Sequence, residues 1–168
     1  MQVKVLRRVV KPLILFGIGG TLYVCIEILY RGRTHWSMFF LGGLCFLYAG
    51  FQNEHPEWDY PLCLQAIKVA VVITLLEFLC GLIVNVWLGW DVWDYSNQPF
   101  NVLGQICPLF SFLWLFVGTA AIILDDYLRY WLFWEENPRY KLFWKKKKVR
   151  NAPFQSNMAL SVGVPSLW

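Results

Sequence analysis

Along the chain, apolar residues gather in four runs, 12–30, 37–51, 62–88 and 106–124, which together make almost half of it. The apolar residues sit in these blocks and are not spread along the chain as the core of a soluble fold. A helix that crosses a bilayer needs about 20 apolar residues at about 1.5 Å each, and the first, third and fourth runs meet that. The second falls short even with Trp36 and Gln52 added, so it thins the membrane, sits beside longer helices, or re-enters without crossing.

Composition narrows the class. The 168 residues are 58% hydrophobic and 15% charged, where a soluble domain carries about a quarter charged residues. A water-soluble globular protein is excluded. The net charge of +4 hides an asymmetry that decides topology. Lys4, Arg7, Arg8 and Lys11 precede the first run, and Arg129, Arg139, Lys141, Lys145, Lys146, Lys147, Lys148 and Arg150 follow the last. Basic flanks stay on the cytoplasmic side, so both ends lie inside and the number of crossings is even. The expectation is an all-α membrane protein with four transmembrane helices and an interfacial, aromatic and basic C-terminal segment. Residues 1–125 form the spanning domain, 126–150 a juxtamembrane interfacial helix with a polybasic stretch, and 151–168 a flexible tail. The first run, for all its basic lead, lacks a small-x-small cleavage site and carries Glu27, so it reads as a span and not a secretory signal.

Several chemistries find no residues. No Walker A loop, nucleophile elbow or His-Glu-x-x-His helix is present, so nucleotide hydrolysis is not expected and the chain does not read as an enzyme; an intramembrane enzyme, assembled from groups that the helices bring together, is the alternative the sequence leaves open. Cys25, Cys45, Cys63, Cys80 and Cys107 lie in or beside the apolar runs without paired spacing, as packing residues and not a disulfide frame. His35 and His55 fall on opposite sides of the membrane in this topology, so no metal or other cofactor is expected.

The informative residues are the charges at membrane depth, which cost about 2.5–3.5 kcal/mol each on insertion scales and face a partner or a wet cavity. Lys68 snorkels toward the inner headgroups on its long stem. Glu77 sits mid-run and cannot. Ala70, Thr74, Glu77, Gly81 and Asn85 recur every three or four residues, which aligns small and polar groups on one helical face where another helix approaches closely. Glu27 lies four residues before Arg31 and pairs with it along one face. The outer segment that follows the third run carries Trp90, Asp91, Trp93, Asp94, Tyr95 and Ser96; Asp91 or Asp94 pairing with Arg31 or Arg33 would tie the two outer loops together. Glu27, Arg31, Glu77, Asn85 and Asp94 are therefore the candidate substrate-binding set. The two alternatives are a polar transport site and a helix-locking cluster.

Glu27, Tyr30 and the stretch Arg31, Gly32, Arg33, Thr34, His35, Trp36, Ser37, then Gly42, Gly43, Glu77, Gly81 and Asn85, then Trp93, Asp94, Tyr95, Ser96, Pro99, Phe100, Asn101, Gly104 and Gln105 resemble the ABC-transporter type IV permease family of small bacterial integral membrane proteins. The segment 93–105 is the most specific part, and the resemblance covers about residues 15–125. It implies an inner-membrane permease subunit, with a separate ATPase subunit as partner. Beyond residue 125, aromatic rings precede Lys145, Lys146, Lys147, Lys148 and Arg150. Beside a membrane span these bind anionic lipid, at about 1 kcal/mol per basic residue, and not nucleic acid. Four short helices enclose no pathway for a sizeable solute, so a homo-oligomer is expected. The leading expectation is a transport protein with a polar site in its outer half; the alternatives are a scaffold or binding subunit and an oligomeric ion channel.

Overall fold

The computed structural model describes residues 2–54 and 60–142. Four α-helices account for most of them: α1 (Gln2–Arg31), α2 (Trp36–Glu54), α3 (Leu62–Gly81), prolonged by a π-helical segment at Leu82–Trp87, and α4 (Pro108–Phe133). No strand occurs among the described residues, and Val102 with Ile106 forms an isolated bridge.

Local chemistry sets the helix ends. Gly32 adopts φ +70 and sends its N–H to the Ile28 carbonyl at 2.8 Å, the left-handed stop that glycine makes without a Cβ penalty. His35 Nδ1 then accepts from the Ser37 N–H at 3.3 Å as α2 starts. Pro61 stands just before α3 and Pro108 opens α4, positions where a missing N–H costs nothing.

α1 and α2 run antiparallel in close contact. A Cβ on Gly19 would strike the Phe46 side chain, and one on Gly42 would strike Tyr23, so backbones approach where rings fit over glycines. α2 also packs on α3 and α4, and α3 lies antiparallel to α4, with Gly118 set against Val69 and Ala70. The helices alternate in direction. The start of α1, the end of α2, the start of α3 and the end of α4 meet at one end of the bundle, here the basal end. The other end carries residues 82–107, here the loop end.

Three helical stretches, Val9–Arg31, Leu62–Trp87 and Pro108–Phe133, are long and apolar enough to cross a membrane. That makes three and not the expected four. α2 has only 19 residues and ends in Gln52, Asn53 and Glu54, so its apolar stretch is too short to qualify. Its surroundings explain the tolerance: Met38, Leu41, Cys45, Phe46, Ala49 and Gln52 are all buried where α2 packs on α1, α3 and α4, beside longer helices that accommodate a short one. All four helices expose apolar side chains outward, among them Phe40 and Leu44 on α2, Leu75 and Leu79 on α3 and Phe112 and Phe116 on α4. α4 continues unbroken past Asp125 to Phe133, so the compositional boundary at 125 falls inside a helix. The basic residues Lys145, Lys146, Lys147, Lys148 and Arg150, and the tail 151–168, lie outside the described residues.

Candidate functional site

At the loop end, Glu27 on α1 pairs with Arg31 one turn on and accepts from Thr34 Oγ1 at 2.6 Å. Arg31 also donates to the Val92 carbonyl at 2.9 Å, which binds α1 to the long loop 88–107. The same residue is held from α3's side: the Val92 N–H donates to Asn85 Oδ1 at 2.7 Å. Asn85 Nδ2 in turn donates to the Trp93 carbonyl at 3.0 Å and to Gln105 Oε1 at 2.7 Å. Trp93 is 3% exposed and donates its indole N–H to the Gln105 carbonyl at 2.9 Å. A Cβ on Gly81 would lie 2.5 Å from Gln105 Oε1 and 3.0 Å from the Trp93 ring. The loop therefore turns back over α3 and sits on Gly81 as a lid, latched by Asn85.

Glu77 lies one turn below Gly81 and is 2% exposed. It accepts from Tyr95 Oη of the lid at 3.1 Å and from the Trp114 indole N–H of α4 at 2.9 Å. Tyr23 of α1 stacks on Trp114, with centroids 6.1 Å apart, and Tyr95 stacks on Phe110 at 4.5 Å. Burial, then the Glu77 charge, push the Tyr95 phenol well above its ordinary range, so Tyr95 stays a donor. Both of Glu77's partners are thus neutral, while Arg31 is engaged by Glu27 and Val92. An isolated carboxylate in such surroundings is costly unless it takes up a positive charge.

Four of the five sequence-selected residues, Glu27, Arg31, Glu77 and Asn85, meet around the lid. Asp94 does not. It is exposed and accepts from the Ser96 hydroxyl at 2.5 Å and from the Ser96 N–H at 2.8 Å, which hold its carboxyl below the usual range. It caps a turn of the loop, and Arg31 reaches the Val92 carbonyl where an aspartate was expected. Sequence reasoning also missed Tyr95, Trp114 and Gln105. Tyr95 stood only as one aromatic of the outer segment and Trp114 as one of the fourth apolar run, and only their placement over Glu77 distinguishes them.

A second polar cluster, unforeseen from sequence, closes the basal end. Asp125 and Arg129 pair within α4, 0% and 6% exposed. A Cβ on Gly50 of α2 would strike the Asp125 carboxylate. Asp126 accepts from Asn53 Nδ2 at 2.6 Å and from Tyr140 Oη at 2.9 Å. After Trp134 ends α4 in a left-handed conformation, the chain 134–142 straps back beneath the bundle. There Glu135 meets Lys11 of α1 at 2.6 Å, and the Lys141 carbonyl accepts from the Leu62 N–H at 2.7 Å. Lys68 lies over the Tyr60 ring, 3.5 Å from its centroid. The signal for this cluster was present as Asp125 and Arg129 at i,i+4, but their place after the fourth apolar run read as a membrane exit.

Among the described residues no three His, Cys, Asp or Glu side chains group as a metal site. No curated protein and no solved structure matches the chain. The model of one family, described as "Putative ABC-transporter type IV", matches residues 9–140, which takes in all three spans, the lid and the strap as far as Tyr140. With apolar helices, a latched loop and this match over most of its length, the chain belongs to that ABC-transporter type IV family of membrane proteins.

Proposed function

We propose that the chain is the membrane subunit of a bacterial inner-membrane transport system, in which Glu77 accepts a proton or other small cation beneath the lid 88–107. The observation that carries this reading is the lack of a countercharge at Glu77: a carboxyl buried in a span, held by two neutral donors, beside an arginine already committed elsewhere. Arg31 and Asn85 serve here as the lid's fastenings; they do not contact the transported species directly. The π-helical segment at Leu82–Trp87 lies between the acid and the lid's first turn, and such segments concentrate at functional sites. Gly89 and Gly104, at φ +65 and +68, make left-handed turns of the loop that a side chain would strain.

The basic flanks set the basal end on the cytoplasmic side and the lid outside. Lys145, Lys146, Lys147, Lys148 and Arg150 then meet anionic lipid of the inner leaflet. With no phosphate-binding loop in the sequence, energy from ATP requires a separate ATPase subunit. A pathway wide enough for a solute requires further copies of the chain.

Reconstitution into vesicles that hold a trapped pH-sensitive dye tests the acid. The wild-type protein should carry a proton flux that Glu77→Gln abolishes while the variant still folds. Absent wild-type flux, or equal flux in the variant, contradicts the reading. Asn85 carries the second reading, a scaffold, because every hydrogen bond it makes goes to the loop or to Gln105. In that case Glu77→Gln changes only thermal stability.

A further inference from the structure

On α1, Tyr23 stands four residues before Glu27, and Glu27 four before Arg31, so the three share one face of the helix. That face is turned toward the core. A Cβ on Gly42 of α2 would strike the Tyr23 side chain, and the Tyr23 ring stacks on Trp114 of α4, whose indole N–H donates to Glu77. Tyr23 therefore packs between α1, α2 and α4 beside the buried acid. The groups whose charges act on its hydroxyl are, in falling order, Glu77 of α3, Glu27 of its own helix, Tyr95 of the lid and Cys45 of α2. α4 meets it with Trp114, which does not titrate.

The neighbouring donors are all committed. Tyr95 and Trp114 give their protons to Glu77, and Arg31 and Thr34 give theirs to Glu27. The Tyr23 hydroxyl, set among them, makes no hydrogen bond among the described residues. A phenol both donates and accepts, and an inward polar group without a partner calls for a reason. The two carboxyls that act on it differ in their access to water. Glu77 is sealed beneath the lid. Glu27 reaches the surface, because its Oε2 is held by Thr34, an exposed residue of the turn that follows α1, and its Oε1 by the partly exposed Arg31.

We infer that the cation Glu77 exchanges is a proton, and that Tyr23 passes it between Glu77 and Glu27 while the lid stays closed. In the outward step the phenol oxygen takes the proton of the Glu77 carboxyl as the phenol O–H gives its own to the Glu27 carboxylate. Glu77 is left as a carboxylate, Glu27 as a carboxyl, and Tyr23 as a neutral phenol again. A bridging water or a turn of the side chains closes each gap. While Glu27 holds the proton, the Arg31 charge keeps the Val92 carbonyl; release to water beside Thr34 then restores the ion pair. A phenol can relay a proton by this exchange but not a metal ion, which is what names the species. The inference rests on the reading of Glu77 as a cation acceptor and adds Tyr23 and Glu27 as its route outward.

The test is proton flux into vesicles that hold the full chain and a trapped pH-sensitive dye. Tyr23→Phe keeps the ring and its stack on Trp114 and removes only the hydroxyl. It should lower the flux by about 100-fold, the scale of a lost proton-transfer group, while Tm stays near that of the wild type. A fluorotyrosine placed at position 23 alone makes the phenol more acidic with little change of shape, and it should shift the pH profile of the flux, which a purely structural Tyr23 would not do. The fluorotyrosine protein also serves if Tyr23→Phe does not fold. Wild-type flux that persists in Tyr23→Phe, or a pH profile unmoved by the fluorotyrosine, overturns the relay and leaves the Glu77 reading in place. So does a wild-type protein that carries radioactive sodium, with the dye unchanged. Flux undiminished in Glu77→Gln overturns the Glu77 reading and the relay together.

Discussion

The loop end and the basal end use the same residue types with different consequences. Arg31 is partly exposed and divides its hydrogen bonds between Glu27 and a loop carbonyl, so the lid can lift without stranding a charge in lipid. Arg129 and Asp125 are both sealed, and Gly50 is pressed against the carboxylate. Separating that pair would leave an ion in a dry interior. The difference teaches that one ion pair fastens a movable cover while the other locks helices together.

The largest effect that would test this contrast comes from the sealed pair. Asp125→Asn replaces a buried charge-assisted hydrogen bond to Arg129 with a neutral one and should cost about 1.5–3 kcal/mol, read as a lowered unfolding midpoint in detergent. Glu27→Gln should cost about 1 kcal/mol or less, since Arg31 keeps the Val92 carbonyl and reaches water. Equal losses would erase the distinction between the ends. Next comes Gly50→Ala, whose methyl group meets the Asp125 carboxylate; overpacking of this kind costs about 1–3 kcal/mol, and denaturant or thermal unfolding measures it. Asn85→Ala strips the lid of three hydrogen bonds and leaves the Val92 N–H without its acceptor, a local cost of about 1–3 kcal/mol. It should appear as faster amide exchange across residues 88–107 with the basal end unchanged. Faster exchange at both ends would show that the lid is no separate unit.

The smallest effect concerns Asp94. Its folded carboxyl titrates below the ordinary value, about 3.9 for an aspartate. The order it gives the turn is therefore fully present above that value and is lost as pH falls through the lower, folded one. Exchange of the Ser96 amide should rise only at the acid extreme. A rise near neutral pH would assign the turn's order to another group.

Much of the fold was legible because lipid imposes a simple rule: runs of apolar residues announced helices, and Gly32, Pro61 and Pro108 stand at their ends. α2 showed the rule's limit. Its shortness was visible, but its packing against three longer helices was a matter of tertiary contact that no linear pattern records. At the site, the i,i+4 spacing disclosed Glu27 with Arg31, and the stripe through Glu77, Gly81 and Asn85 disclosed the face that the lid covers. The identity of Glu77's donors was not legible, since Tyr95 and Trp114 are 18 and 37 residues away. Asp94 misled because an acid near an arginine in an outer loop suggests an ion pair, while the nearer Ser96 amide and hydroxyl captured it. The basal cluster stayed hidden because Asp125 and Asp126 follow the last apolar run, and only the strap and Gly50 make that stretch an interior.

The central claim is that Glu77 is the loop-end acid without a countercharge. Hydrophobic carbodiimides react with carboxyl groups that carry a proton in apolar surroundings, and mass spectrometry locates the adduct. In vesicles, Glu77 should be modified, more so in Asn85→Ala as the lid loosens, while Glu27 and Asp125, held by their arginines, stay unmodified. Modification of Glu27 or Asp125 with Glu77 untouched in both proteins would contradict the account.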